Sequence, residues 1–492
     1  MSLKFLAVSI LVFFCFEVVA SDNTKDEKKY NVLFIAVDDL RPELNVYGVD
    51  QIKSPNIDRV AEQGLVFKQA YCQVPICGAS RISLLTGMYS QSTDIYGIKL
   101  MKKDKLPTIT SLPKHFKDNG YKTISIGKIY HHSKDDLEAW SKKPYRAMSG
   151  SGYVTDESKS LVKLNQKTNS KAGTKGPVSE SAEVDDSLHS DGKLTLQTIR
   201  ELQRIKNDKP FFLAVGFRKP HLPFTPPQRY WDLYDPEEID TAANPFWPKN
   251  YTKYTMNNFG ELRNYYNMPK GKEEVGKDLA KHLKHGYYAS VSFIDAQIGK
   301  ILNELEVLGL RENTIVVIWG DHGWKLGEHK SWCKHTTFNI DARVPLIVSV
   351  PGMKGNGEKS NSLVELVDLY PTLSELCGLS KPEHLEGTSF VPLLNDPTLK
   401  WKKAVFSRWV NASHRYDKEI QIIGHAMGTD RYRYVEYKRT KTGEVLAREM
   451  YDHTNDPQEN ENVVNYPDYK LRVDSLAGMM KEGWEAAKPN LN

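Results

Sequence analysis

The stretch Asn31-Val-Leu-Phe-Ile-Ala-Val-Asp-Asp-Leu-Arg41 decides how the rest of the chain is read. The apolar run from Val32 to Val37 has no polar break, so it predicts a strand covered on both faces rather than one wetted on alternate positions. Two carboxylates, Asp38 and Asp39, end it. The same texture returns at Thr123–Ile126, Phe211–Val215, Thr314–Trp319 and Leu346–Val350. Helical patterns fall between these runs: Pro55–Gln63, Ser80–Thr86, Leu112–Asn119, Leu194–Ile205 and a long one over Lys277–Leu308. Strand and helix in alternation predict a doubly wound α/β domain with a parallel sheet between helices.

Residues 147–190 differ, being rich in Ser, Gly, Lys and Asp, and predict a long loop or insertion within a domain spanning 24–390. From residue 391 to 492 short strands are expected at Ala404–Phe406, Ile420–Ile423, Tyr432–Tyr437 and Val445–Tyr451, then a helix over Tyr469–Ala487. That texture predicts a smaller α+β subdomain with an antiparallel sheet. No internal repeat is visible.

With 492 residues, 40% hydrophobic and 26% charged, the chain has ordinary globular usage, which excludes disorder, collagen and coiled coil as its overall class. The net charge of +5 comes with no dense basic block, so nucleic acid is not implied. The apolar run Phe5–Phe16 is too short to span a bilayer, so no stable membrane insertion is expected. Preceded by Lys4 and followed by Val18-Val19-Ala20, it reads as a secretory signal over 1–20, cleaved after Ala20, the alternative being a buried N-terminal helix. The product would be exported, periplasmic or extracellular. Cleavage leaves Cys72, Cys77, Cys333 and Cys377, too few to staple so long a chain.

Ligand crevices of open α/β sheets lie beyond the carboxyl ends of the strands. The first run ends in Asp38-Asp39, the second in Gly127-Lys128 with His131 and His132 behind. The third leads to Arg218, Lys219 and His221, and the fourth to Asp321-His322. Three carboxylates in one crevice repel unless a cation holds them, and oxygen donors favour calcium or magnesium over zinc. A solvated turn remains the alternative for Asp38-Asp39 alone. Cys77, heading the helix that carries Arg81 one turn on, would have a lowered pKa and face an anion; a buried structural thiol is the alternative.

Cys77-x-Ala-Ser-Arg81-x-Ser-x-Leu-Thr-Gly87 resembles the signature of the type I, formylglycine-dependent sulfatases. The resemblance runs through Asn31–Arg41, Gly127-Lys-x-x-His131, Lys219-Pro-His-Leu-Pro-Phe224, Asp321-His-Gly-Trp-x-Leu-Gly-Glu-His329 and Val344-Pro-Leu-Ile347, in family order. Met450-Tyr-Asp452 and Asn455-Asp-Pro457 are similar to its C-terminal signature. The Lys-Pro-His and Asp-His-Gly-Trp blocks are most similar to the iduronate-2-sulfatase branch.

The resemblance implies an alkaline-phosphatase-like sandwich with a large mixed, mostly parallel sheet. It implies an exported sulfuric ester hydrolase acting on a sulfated carbohydrate, with a 2-O-sulfated uronate as one candidate unit. Cys77 would be oxidised by a formylglycine-generating maturation enzyme to Cα-formylglycine, whose hydrate is the nucleophile. Ala79 stands where the commonest motif has Pro, which leaves open which maturation enzyme acts. Asp38, Asp39, Asp321 and His322 would bind one Ca2+ together with the oxygen at Cys77. Arg81 would hold the nucleophile, Lys128 and Lys334 would neutralise sulfate oxygens, His131 would accept a proton, and His221 would donate one to the leaving oxygen. Trp324 would stack on a sugar face or wall the pocket. The alternatives are a phosphodiesterase or phosphonate hydrolase of the same superfamily, and an unmodified glycan-binding protein.

Overall fold

The structure is a computed structural model that describes residues 29–490 apart from 148–151, 209, 256, 258–259, 272 and 411–421. The expected signal segment and the first two residues of the strand expected at Ile420–Ile423 lie outside the described residues. In chain order the strands are β1 (Asn31–Val37), β2 (Leu65–Tyr71), β3 (Lys122–Gly127), β4 (Phe211–Phe217), β5 (Thr314–Gly320), β6 (Lys325–Leu326) and β7 (Trp332–Cys333). They continue as β8 (Arg343–Ser349), β9 (Lys359–Glu365), β10 (Val405–Val410), β11 (Ile422–Gly428), β12 (Tyr432–Arg439) and β13 (Val445–Asp452).

A 7-stranded sheet runs in the order β3-β4-β1-β5-β8-β2-β9. Pleating sends alternate residues of β1 to opposite faces. Leu33, Ile35 and Val37 join the core beneath the helices Pro55–Glu62, Ser190–Ile205 and Lys277–Val307. Val32, Phe34 and Ala36 join the core beneath Cys77–Thr86, Leu112–Asp118 and Leu369–Leu376. Burial on both faces is why β1 carries no polar residue from Val32 to Val37. Register then sets the site: Val37 lies opposite Phe217 and Gly320, while Gly127 lies opposite Gly216. The carboxyl ends of β3, β4, β1 and β5 therefore stop at one level.

The sheet is mixed, because β8 runs against both β5 and β2. Its reversed direction returns the chain to the carboxyl edge just before Arg343, where buried Asp341 accepts from the Lys325 ammonium at 2.5 Å. Two strands of this sheet, β2 and β9, had no counterpart in the sequence reading. Lys68 and Gln69 interrupt β2 where its register shifts, and β9 opens with Lys359-Ser-Asn-Ser362 at the edge of the sheet, so neither shows an unbroken apolar run.

The segment expected to be a loop contains a helix, Asp156–Thr168. Thr155 caps it, its hydroxyl oxygen accepting from the Ser158 N–H at 3.2 Å. Its inward face is fixed partly by an amide: Asn165 Nδ2 donates to the carbonyls of Lys175 at 2.8 Å and Asn264 at 2.9 Å. Polar anchoring leaves little apolar period to detect.

The C-terminal strands form an antiparallel sheet, β10-β11-β12-β13, covered by the helix Lys470–Ala486 over Phe406, Met427, Tyr434 and Met450. Buried Lys402 ties this region to the large sheet, its ammonium bonding Glu365 at 2.7 Å and Asp368 at 2.8 Å. Glu365 also accepts from the Phe406 N–H at 2.9 Å, so the last residue of β9 holds the second residue of β10. Removing one partner of a buried charge group strands the others. Lys402→Met is expected to cost about 3–5 kcal/mol of folding stability, measured by chemical denaturation.

Candidate active site

Asp38 and Asp39 would point to opposite sides if β1 continued, since consecutive strand residues alternate. Instead Asp39 has φ 61, a left-handed conformation that aspartate tolerates better than most residues. The turn brings both carboxylates into one crevice, fully buried. There they meet Asp321 and His322 from the end of β5, also with no exposed surface.

Cys77 is the first residue of its helix, and no side chain caps the free N–H groups there. Its Sγ lies 3.3 Å from His322 Nε2. One ligand atom each from Asp39, Cys77 and His322 falls within 4.8 Å, and so does one each from Asp38, Cys77 and Asp321. Glycines let the backbones close around this point. A Cβ on Gly78 would sit 2.8 Å from the Gly97 carbonyl oxygen, and one on Gly323 would sit 1.8 Å from that of Ile340.

Cations are interleaved with the acids. Arg81, fully buried, donates from Nε to Asp321 at 2.8 Å and from a terminal nitrogen to Asp38 at 3.2 Å. Its other terminal nitrogen bonds the carbonyls of Lys128 and Ile129. Lys128 reaches Asp38 at 2.5 Å, and Lys334 reaches Asp39 at 3.0 Å. Burial opposes ionisation of Asp38, but Lys128 and Arg81 together hold it well below the usual carboxylate range. Asp39 is less well compensated: burial pushes it up to about 7 against Lys334, and Asp38 adds to the rise. A deeply buried carboxylate short of positive charge, with oxygen donors on either side, fits a hard divalent cation.

The expectation of a lowered thiol pKa at Cys77 is overturned. Burial, and then the Asp38 charge, push the thiol well above its ordinary value despite Lys128 and Lys334. The helix terminus cannot offset loss of water beside an acid. An unmodified Cys77 is therefore a poor thiolate nucleophile. Cys72, Cys333 and Cys377 are likewise buried and free.

The histidines divide. His221 Nε2 lies 3.0 Å from Glu261 and 3.9 Å from Asp39, with Nδ1 2.6 Å from the Leu222 carbonyl. Burial and Lys334 depress its basicity, and Glu261 opposes them. Burial and Lys128 bring His131 down to about 3, and its buried Nδ1 has no partner among the described residues, so the ring is neutral and only weakly basic. Trp324 is 1% exposed and lies under Lys334, whose ammonium is 4.7 Å from the ring centroid. It walls the pocket; no face is open for a sugar.

Glu261 was missed from sequence. It bonds both Lys334, at 2.9 Å, and His221. It sits in a single turn, Gly260–Arg263, within a polar connection that carries no strand-end signal. Only the fold brings it to the crevice.

Residues 30–379 match the family described as Sulfatase, and residues 327–485 match that described as N-sulphoglucosamine sulphohydrolase, C-terminal. Iduronate 2-sulfatase of Mus musculus is 32% identical, with 88% of this chain and 91% of that protein covered. Among solved structures, the phosphonate monoester hydrolase of Agrobacterium radiobacter superposes with TM-score 0.73 at 21% identity, covering 92% of this chain and 95% of that one. A structure solved in complex with its substrate D-glucosamine-2-N,6-O-disulfate gives TM-score 0.71 at 22% identity, covering 92% and 97%. The fold is thus alkaline-phosphatase-like. The chain belongs to the sulfatase family and is a sulfuric ester hydrolase.

Because Glu261 positions His221, Glu261→Gln is expected to lower kcat for an alkyl sulfate about 10–100-fold. The loss should be several-fold smaller for 4-nitrophenyl sulfate, whose leaving group needs no acid; steady-state assays of both esters check this.

Proposed function

We propose that this chain is an exported sulfatase that hydrolyses sulfate monoesters of a sulfated carbohydrate. The observation that carries the reading is the meeting of position 77 with the three aspartates and His322 in one buried crevice. Conversion of Cys77 to Cα-formylglycine would supply a hydrated aldehyde as nucleophile where the thiol is disabled. A calcium ion held by Asp38, Asp39, Asp321, His322 and the oxygen at position 77 would supply Lewis-acid polarisation of the sulfate oxygens.

The chain's own residues do the remainder. Arg81 fixes the nucleophile's helix against Asp38 and Asp321, so position 77 cannot drift from the acids. Lys128 and Lys334 flank the tandem acids and offer ammonium groups to charge accumulating on the transferred group. His131, kept neutral, takes a proton near the nucleophile. His221, oriented by Glu261, gives one to the departing oxygen, a step that contributes about 10²–10⁴-fold where that group is a sugar hydroxyl. Export rests on the N-terminal sequence; no described helix is long and apolar enough to cross a membrane.

The sugar class is supported by relatives whose printed activities concern iduronate and glucosamine sulfates. The phosphonate hydrolase neighbour keeps a second reading in play. Mass spectrometry of the Cys77 peptide is expected to find one sulfur and two hydrogens exchanged for one oxygen. The purified enzyme should release sulfate from 4-nitrophenyl sulfate, lose at least 10-fold activity on chelation and recover it with calcium. Unmodified Cys77 without turnover would favour the binding-protein alternative, and faster cleavage of an aryl phosphonate monoester would favour the neighbour's chemistry.

A further inference from the structure

Beside the crevice two arginines make no ion pair with a carboxylate of the described residues, their nearest acidic influences being Asp191 for Arg218 and Asp38 for Arg146. Tyr145 runs alongside the end of β3, bridging Ile126 and accepting from the Gly127 N–H at 2.8 Å, which sets Arg146 next to the Lys128–His131 loop. Arg146 is half-buried. Its guanidinium donates to the carbonyls of Tyr130 at 2.6 Å and His131 at 3.4 Å, and to no carboxylate among the described residues. Arg218 leaves the neighbouring strand at the same level, two residues after Gly216, the register partner of Gly127. Its backbone N–H is anchored to buried Asp191 at 2.8 Å, while its side chain is exposed and makes no bond with the described residues. Both therefore border the same mouth, on the flank between His131 and His221.

Like charges gathered at a partly buried edge repel and lose hydration. Burial lowers Arg146 to about 10, with Arg81 and Arg218 adding to the drop. Such a surplus is uneconomical in a stable fold unless an anion arrives from outside. The catalytic cations do not account for it, because Arg81, Lys128 and Lys334 are each bonded to Asp38, Asp39 or Asp321.

We propose that Arg146 and Arg218 form a second anion subsite, reading a carboxylate or a further sulfate that the substrate sugar carries next to the ester being cleaved. The inference rests on the sulfatase reading above and narrows its substrates to sugars with at least two anionic groups. Arg218, exposed and unbonded at its guanidinium among the described residues, closes on the anion; Arg146, already fixed by two carbonyls, presents a preset edge. A planar guanidinium can bind a carboxylate or sulfate through two N–H groups, which makes the subsite selective for geometry as well as charge.

The test compares kcat/KM of Arg218→Gln and Arg146→Gln enzyme on a 2-O-sulfated uronate disaccharide, on its uronate methyl ester, and on 4-nitrophenyl sulfate. The ratio of disaccharide to aryl sulfate kcat/KM is expected to fall about 10–100-fold in each variant, mainly through KM, on the disaccharide that carries the group read. If the uronate carboxylate is the group read, the methyl ester lowers the wild-type ratio equally and the variants no longer respond to it. If a second sulfate is read, adding a 6-O-sulfate to the disaccharide restores the wild-type advantage that the variants lack. Equal losses on all substrates, or a ratio unchanged in Arg218→Gln on the disaccharide both with and without the 6-O-sulfate, would overturn the subsite. Arg146→Lys separates folding from binding, since it keeps charge but loses the paired N–H geometry. Failure of wild-type enzyme on every sulfate ester would instead strike the sulfatase reading itself.

Discussion

Arg81 clasping Asp38 and Asp321 is the interaction on which the crevice depends. One guanidinium bridges the ends of β1 and β5 from inside a helix and also holds the carbonyls of the Lys128 loop behind β3. Three strand ends and the helix start at Cys77 are thereby locked to one planar group. Isolated, any of these buried charges would be intolerable. Together they form a rigid polar cluster whose position the sheet register dictates. Arg81 follows Cys77 by four positions, which puts the two on neighbouring turns of one helix face. Fixing Arg81 thus fixes position 77.

Much of this was legible in sequence because the chemistry sits at the ends of the most strongly patterned strands. Runs covered on both faces cannot afford polar residues, so Asp38, Lys128, His221 and Asp321 stand out at their exits. The same logic fails at β2 and β9. There a bulge and an edge position admit Lys68, Gln69 and Ser362 without cost, and the apolar signal breaks. It fails again at Glu261, which reaches the crevice through a polar connection and not along a strand. The thiol of Cys77 was misjudged for an electrostatic reason: a helix terminus lowers a pKa only where water or cations dominate, and Asp38 and full burial dominate here.

The reversed strand β8 explains a feature that a wholly parallel sheet would not produce. By running backward it delivers Asn339–Ala342 to the same edge as Asp38, Lys128 and Asp321, and Asp341 there braces Lys325 and the Thr336 N–H. The short pair β6–β7 is thus pinned from beneath, and Lys334, directly after β7, is held over Trp324 and against Asp39. Trp324 works as a floor for that ammonium: the ring face attracts the cation and excludes water that would screen it.

Charge around the crevice then points outward. Three acids are matched by three cations within bonding distance, and Glu261 adds a carboxylate that Lys334 and His221 share. A divalent ion would tip the inner set toward positive, which suits a transferred group that is anionic throughout. Arg146 and Arg218 extend the excess beyond what a single sulfate ester needs. A monoanionic aryl ester would leave them unpaired and gain nothing from the outer flank. A sugar bearing a second anion would satisfy both layers at once, and its fixed distance between the two groups would align the ester oxygen with His221 before any bond is broken. Selectivity and orientation then come from one geometric requirement.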